Sequence, residues 1–275
     1  NWIPTLLVEK TGTGENGIPV WKTSMRLNLI VYICLVGYLF PLQGAEMLSL
    51  NDNEREAILG KQVWIPSGDY HVGGKNYRDN QPLRSMRFNG FFIDIHPVTN
   101  KQYARFVKES GYRPTGGYSS TDALESPYHP ATGLTYQDAS AYAKFYKMRL
   151  PSEWEWEIAS RGLKAEARFV YPSDSKSFRK RGHFYHNMNH QTVAVCSYTP
   201  NELGLFDMAG NVYEWTSSLY DSDRLHGKYQ KEFTVRVLRG GAWTSKVHEI
   251  MVTTRTPFPS KRSLRWLGFR CVRDR

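Results

Sequence analysis

Asp207 and Glu214 bracket Gly210 and Asn211 in residues 203–215, Leu-Gly-Leu-Phe-Asp-Met-Ala-Gly-Asn-Val-Tyr-Glu-Trp. Two carboxylates flanking a turn, with a glycine that lets backbone carbonyls approach a cation, form an oxygen-only donor set of the kind calcium takes. Val212 offers a further carbonyl, and Phe206, Tyr213 and Trp215 are the rings that would anchor the turn. Taken alone, the pattern reads equally well as a tight turn carrying surface acids.

Two other groupings could do chemistry. His183, His186 and His190 have spacings that would gather on one helix face, as copper, zinc or iron requires. Gly182, Asn187 and Asn189 oppose a helix there, so a solvated loop is expected. Glu153, Glu155 and Glu157 lie two apart, and residues so spaced on a helix do not share a face. In a first turn they suit the helix dipole, and we read them as structural.

The elements that must hold these residues are marked by caps and alternation. Residues 61–73 read as a strand and turn around Pro66 and Gly68, and Phe91 to Ile95 as another strand. Thr99 caps a helix with the core stripe Tyr103, Phe106 and Val107, stopped by Gly111. Residues 112–134, rich in Pro, Gly and Ser, read as loop. Thr135 with Asp138 caps a second helix whose face carries Ala139, Tyr142, Ala143 and Tyr146. Ser152 and Glu155 form a capping box for a third, closed by Gly162, and the last two helices are expected to pack together. Strands are predicted over 234–243, 250–256 and 268–273.

Ahead of these, residues 1–24 lack periodicity and are read as a disordered leader or an artefact upstream of Met25. Residues 25–45 have a signal peptide's shape: Arg26 heads an apolar run, Pro41 breaks it, and Gln43-Gly44-Ala45 offers a cleavage point. The run of about 14 residues is short of the ~20 that a membrane span needs. No stable span is expected after cleavage, and the product is read as exported, periplasmic or extracellular. Residues 46–60 are then a linker, and 61–275 a single domain.

The formal net charge of +10 favours acidic partners, anionic membrane surfaces or nucleic acid. The cations are scattered, with local concentrations only at Arg179-Lys180-Arg181 and Lys261-Arg262, and no nucleic-acid recognition signature accompanies them. Nucleic acid is therefore not an expected partner. Three cysteines are too few for a disulfide scaffold. Cys34 leaves with the apolar run, and Cys196 and Cys271 remain as a possible disulfide or a buried reduced pair.

Five ordered blocks change the odds. They are Val63-Trp64-Ile65-Pro66-Ser67-Gly68 with Pro97-Val98-Thr99-Asn100, residues 149–162, residues 203–215, Val237-Leu238-Arg239-Gly240-Gly241-Ala242-Trp243, and Gly268-Phe269-Arg270-Cys271. Together they resemble the formylglycine-generating enzyme family, also called the sulfatase-modifying factor family. The resemblance implies an α+β fold of irregular, C-type-lectin-like type with little regular secondary structure. It also implies a structural calcium ion held by the Asp207 side chain, the carbonyls of Gly210 and Val212, and the Glu214 carboxylate. A first calcium site of the family falls near Asn187, but residues 189–192 contain no acid.

Active oxidases of this family carry two cysteines between the last two blocks, because a soft cuprous ion wants thiolates. Here the corresponding segment, Thr244 to Thr256, has none, so copper is not expected. His248 and Met251 within it read as surface and core rather than as substitute ligands. Cys271 occupies a position where the family often places a disulfide cysteine, while the helical partner aligns near Ala143 and is missing. Arg239, Trp243, Arg255 and Arg265 are candidates for a partner groove, since guanidinium forks and aromatic faces recognise peptide backbones and acids, although Arg239, inside the Gly-Gly block, reads first as a structural hydrogen-bond donor. Relatives that make sulfoxides carry an iron-binding bundle ahead of this domain, and no bundle is read before residue 61. The reading that follows is an exported domain without the copper cysteines, binding a protein or peptide partner or assisting maturation of an exported enzyme. The alternatives are an oxidase with other catalytic residues and an extracellular recognition module.

Overall fold

The computed structural model describes residues 9–13, 19–22, 50–74, 83–162, 182–185, 191–220 and 234–275. The chain divides into two compact units, Asn1–Pro41 and Leu42–Arg275. In the first, β1 (Glu9–Thr13) and β2 (Pro19–Lys22) pair antiparallel, from Glu9 opposite Lys22 to Thr13 opposite Pro19. This corrects the reading of a structureless leader. Val20 and Trp21 are strand formers, and two short strands can pair through backbone groups without the side-chain periodicity that the stretch lacks. The segment 25–45 lies outside the described residues, apart from which no described helix is long and apolar enough to cross a membrane.

The second unit begins with a helix where a linker was expected. In α1 (Asp52–Ile58), Asn51 and Glu54 form a reciprocal capping box, while Leu50 and Ile58 enter the core. Arg55 Nε donates to the Val195 carbonyl at 2.8 Å, tying the helix to the loop that precedes the candidate turn.

Three short sheets follow. β3 (Gln62–Ile65), β6 (Phe91–Asp94) and β11 (Val272–Asp274) form an antiparallel sheet in the order β11-β6-β3, so the last strand of the chain closes against early ones. β4 (Gly68–Val72) and β5 (Arg84–Phe88) make a hairpin. β7 (Tyr213–Leu219), β8 (Val235–Arg239), β9 (Thr256–Pro259) and β10 (Leu267–Gly268) are ordered β10-β7-β8-β9, with β10 parallel to β7 and the other pairs antiparallel.

The strand predicted over 250–256 is instead a 3₁₀ turn, Val247–Ile250, and an irregular run into β9. Ile250, Met251 and Val252 are apolar because they are buried in the core, not because they alternate across a sheet. Pro257 and Pro259 place β9 at the sheet edge, where a missing N–H does no harm.

The helices are α2 (Asn100–Ser110), α3 (Asp122–Glu125), α4 (Tyr136–Phe145) and α5 (Glu153–Arg161). Thr99, Thr135 and Ser152 make the predicted caps, and Gly111 ends α2 in the left-handed conformation, φ 68°. α4 packs on α2 and α5 on β7 and β8, which corrects the expected α4–α5 pairing. Aromatic contacts decide this: Tyr103 and Phe106 of α2 meet Tyr142 of α4 at 5.9 and 5.5 Å, and Phe269 closes the cluster 5.3 Å from Tyr142.

Asp138 holds the loop that precedes α4. Its Oδ1 accepts from Tyr112 Oη and from the Thr115 amide and hydroxyl at 2.8–3.0 Å, and its Oδ2 from Gly116 and from the Thr135 amide and hydroxyl at 2.8–3.0 Å. Burial works to raise this carboxyl, but the hydrogen bonds from Thr115 and Thr135 outweigh it and hold it below the usual aspartate value. Asp138→Asn is therefore expected to cost about 2–3 kcal/mol at neutral pH in urea unfolding. A depressed folded value makes the contribution complete above the unfolded pKa and lost as pH falls through the folded one. The gap between wild type and variant should close on acidification, and a gap that widened would refute the assignment.

Candidate functional site

Arg270 stands at the centre of the second unit, fully buried, as is Glu214. Its Nε and Nη2 donate to the two oxygens of Glu214 at 2.8 Å, Nη2 also donates to Phe206 O at 2.8 Å, and Nη1 to Asp94 O at 3.1 Å. Trp156 Nε1 adds a third donor to Glu214 at 2.8 Å, joining α5 to β7. Asp94 receives Gln62 Nε2 and the Cys271 amide at 2.9 and 2.8 Å, and Asp207 receives the Cys196 amide at 2.8 Å. One guanidinium thus pairs directly with Glu214 and acts on the Asp94 and Asp207 carboxylates only through its charge. Burial pushes the carboxyls of Asp94 and Asp207 up to about 6, against the lowering pull of their amide donors and of the Arg270 charge.

The turn itself is built from unusual backbone. Asp207 and Asn211 adopt φ 55° and 63°, and Gly210 φ 84°. A Cβ at Gly210 would collide with the His183 carbonyl oxygen, which accepts from the Asn211 amide at 2.6 Å. The Asn211 side chain clamps Val193 through both backbone groups at 3.1 Å, and its carbonyl accepts from Trp243 N. Such strain persists only where surrounding contacts over-determine it.

Of the proposed calcium ligands, the structure brings Asp207 and Glu214 into one buried cluster, and Gly210 and Val212 lie on the turn between them. The Gly210 carbonyl already accepts from Val212 N at 2.9 Å, and Glu214 is shared with Arg270 and Trp156. Among the described residues no three His, Cys, Asp or Glu side chains form a metal-holding group, so an ion here would rely on two carboxylates and carbonyls. Asn187, His186 and His190 lie outside the described residues. His183 is buried rather than solvated, with Nε2 2.7 Å from Gln191 O, and burial lowers its pKa.

The groove candidates separate. Arg239, fully buried, donates through Nη2 to Glu153 and Glu157 at 3.0 Å and through Nη1 to the carbonyls of Val252 and Thr254. Arg255 grips Glu153 with Nε and Nη2 at 2.6 and 2.8 Å, and Arg161 completes the chain on Glu157. These two arginines therefore hold α5 to β8 and the segment after the 3₁₀ turn, rather than lining a groove. Trp243 is half-buried and its Nε1 has no hydrogen-bond partner among the described residues, while Arg265 is exposed. Glu153 and Glu157, four apart, do share a face, so the glutamates are an ion-pair comb and not merely dipole compensation.

In the segment 244–256, Ser245, Ile250, Met251, Val252 and Thr253 are buried and His248 is exposed, so His248 and Met251 face different surroundings. No disulfide joins Cys196 and Cys271, and each is a buried thiol. Cys196 sits in the strained loop beside Asp207, while Cys271 is fixed by its amide to Asp94, where burial raises its thiol well above the usual value.

Removing one partner of a buried pair strands the other charge. Arg270→Met should cost about 3–5 kcal/mol in denaturant unfolding. Combining it with Glu214→Gln should cost less than the sum of the two singles. Strict additivity would show that the two side chains do not act as a pair.

A family model described as sulfatase-modifying factor enzyme 1-like domain matches residues 49–275. The serine/threonine-protein kinase Pkn1 of Chlamydia trachomatis is 33% identical over 244 residues, covering 80% of this chain and 39% of the kinase. The chain thus spans about two fifths of that relative's length. The inactive C-alpha-formylglycine-generating enzyme 2 of Bos taurus is 30% identical, over 76% of this chain and 87% of that protein. The solved structure of PvdO from Pseudomonas aeruginosa superposes with a TM-score of 0.66 at 25% identity, covering 78% of this chain and 94% of that one. The short sheets and few helices are those of the irregular, C-type-lectin-like architecture. The match begins at residue 49, so α1 belongs to the domain, and the chain is a member of the sulfatase-modifying factor family, with residues 49–275 as its family domain.

Proposed function

We propose that this domain binds a protein or peptide partner, or assists maturation of an exported enzyme, without the copper-dependent oxidation of its thiol-bearing relatives, with export carried by residues 25–45. The observation that carries the reading is the segment 244–256, which offers no thiolate. Cuprous copper needs soft ligands, and the two thiols of the domain belong to Cys196 and Cys271, outside this segment. Trp243 is half-buried, so part of its ring remains available to a partner, while its indole nitrogen is itself enclosed. A bovine relative whose name calls it inactive supports the same view.

A structural calcium ion belongs to the proposal. Asp207, the Gly210 and Val212 carbonyls and Glu214 would hold it, with Glu214 shared with Arg270. The ion would favour the charged forms of Asp207 and Glu214, and its role is to clamp the turn.

Two measurements test the proposal. Copper-loaded protein incubated with a cysteine-containing sulfatase peptide and oxygen should leave the thiol unchanged by mass spectrometry. Metal-dependent formation of an aldehyde would overturn the non-oxidising reading and favour an oxidase with other ligands. Because an ion bound only to the native state stabilises it, chelator should lower the melting temperature and added calcium should restore it. A melt indifferent to both would remove calcium from the proposal and leave the partner-binding part standing.

A further inference from the structure

The loop between β9 and β10 displays Lys261, Arg262 and Arg265 within five residues, all exposed. Among the described residues no carboxylate pairs with any of the three. Elsewhere on the domain some exposed cations are paired, as Lys101 is with Glu56 and Arg105 with Glu109, and others such as Lys108, Arg113 and Lys144 stand without an ion pair among the described residues but are spread over separate elements. What sets this loop apart is density: three unpaired cations within five residues, on a chain whose formal charge is +10.

Its backbone is pinned. Ser260 N donates to Thr234 O at 2.8 Å and Ser260 O accepts from Tyr136 N at 3.1 Å, while Arg262 N donates to Pro259 O at 3.0 Å. Leu264 O accepts from both Gly133 and Leu267, and Ser263 Oγ accepts from Gly117 N at 3.2 Å. Charges presented from a fixed backbone bind with little ordering cost. At the two ends of the loop, Phe258 and Trp266 are half-buried with ring centroids 5.7 Å apart, and Trp266 lies 5.4 Å from Tyr213. The segment that carries the three cations is thus bounded by aromatic rings at both ends, and Leu264 within it is partly exposed at 38%.

We propose that residues 260–266 dock an acidic segment of the partner, with carboxylates meeting Lys261, Arg262 and Arg265 and an apolar side chain meeting Leu264 and Trp266. This deepens the partner-binding reading above and rests on it. A protein segment fits better than a membrane surface, because interfacial binding needs a broad apolar face and the loop exposes one aliphatic side chain.

The test is fluorescence anisotropy with a labelled glutamate- and leucine-containing peptide and its glutamine counterpart, at about 20 and 150 mM salt. The glutamate peptide should bind at least about tenfold more tightly at low salt, with the difference shrinking at high salt. Lys261→Ala/Arg262→Ala/Arg265→Ala should abolish the preference, whereas Lys108→Ala/Lys144→Ala, exposed lysines of α2 and α4, should retain it. Unchanged thermal melting of the triple variant would show that lost binding is not lost folding. Equal binding of both peptides would overturn the acidic preference and leave the partner reading intact. Binding of neither would sink both. Binding only to vesicles of phosphatidylcholine with about 30% phosphatidylserine, dependent on the three cations, would assign the loop to a lipid surface and overturn the proposal.

Discussion

The contact between Arg270 and Glu214 is the constraint on which the rest of the domain depends. It joins the β10–β11 connection to β7 across 56 residues of sequence, and Trp156 brings α5 onto the same carboxylate. Carbonyls of Asp94 and Phe206 take two more of its donors, so four of the five guanidinium hydrogens meet groups from separate parts of the chain. A buried ion pair is weak as a net source of stability, but it rejects arrangements in which either charge lacks its partner. In a fold with short strands and few helices, that selectivity sets the register that long ladders would otherwise supply.

The Arg239 network performs a parallel task on α5, beside Trp156. Glu153 and Glu157 project together because they are one helical turn apart, and three arginines from different elements converge on them. Arg239 also takes the carbonyls of Val252 and Thr254, so an irregular segment with no ladder of its own has its backbone acceptors satisfied by a side chain. Guanidinium suits this work because its fork reaches carboxylates and carbonyls in one plane.

The sequence revealed most where structure is local. Thr99, Thr135 and Ser152 sit three residues before a partner that answers them, and all three helices begin there. Asn51 and Glu54 show the same signature and were passed over because no apolar stripe follows in a seven-residue helix. β7 was missed because aromatics and acids crowd into one run, whose alternation is hidden by burial on both faces. The 250–256 segment misled for the opposite reason, since its apolar residues fill a core without pairing. The structure places the turn of residues 207–214 beside a buried arginine that its own sequence does not announce. Arg270 was visible only as one letter of a motif, because nothing in a linear chain shows which distant carboxylate an arginine will meet.

Those motifs carried the resemblance, and the structure shows what they do. Residues 149–162 supply Arg149 to Glu155, Glu153 and Glu157 to Arg239, and Trp156 to Glu214, while Gly-Phe-Arg supplies Arg270 to that same carboxylate. Each paired group holds one element to another, and none needs a thiol or an oxidant. A chain can therefore keep every one of these blocks, and with them the fold, after the cuprous ligands are gone. Motif agreement of this kind reports architecture, while activity resides in the few residues grafted onto it.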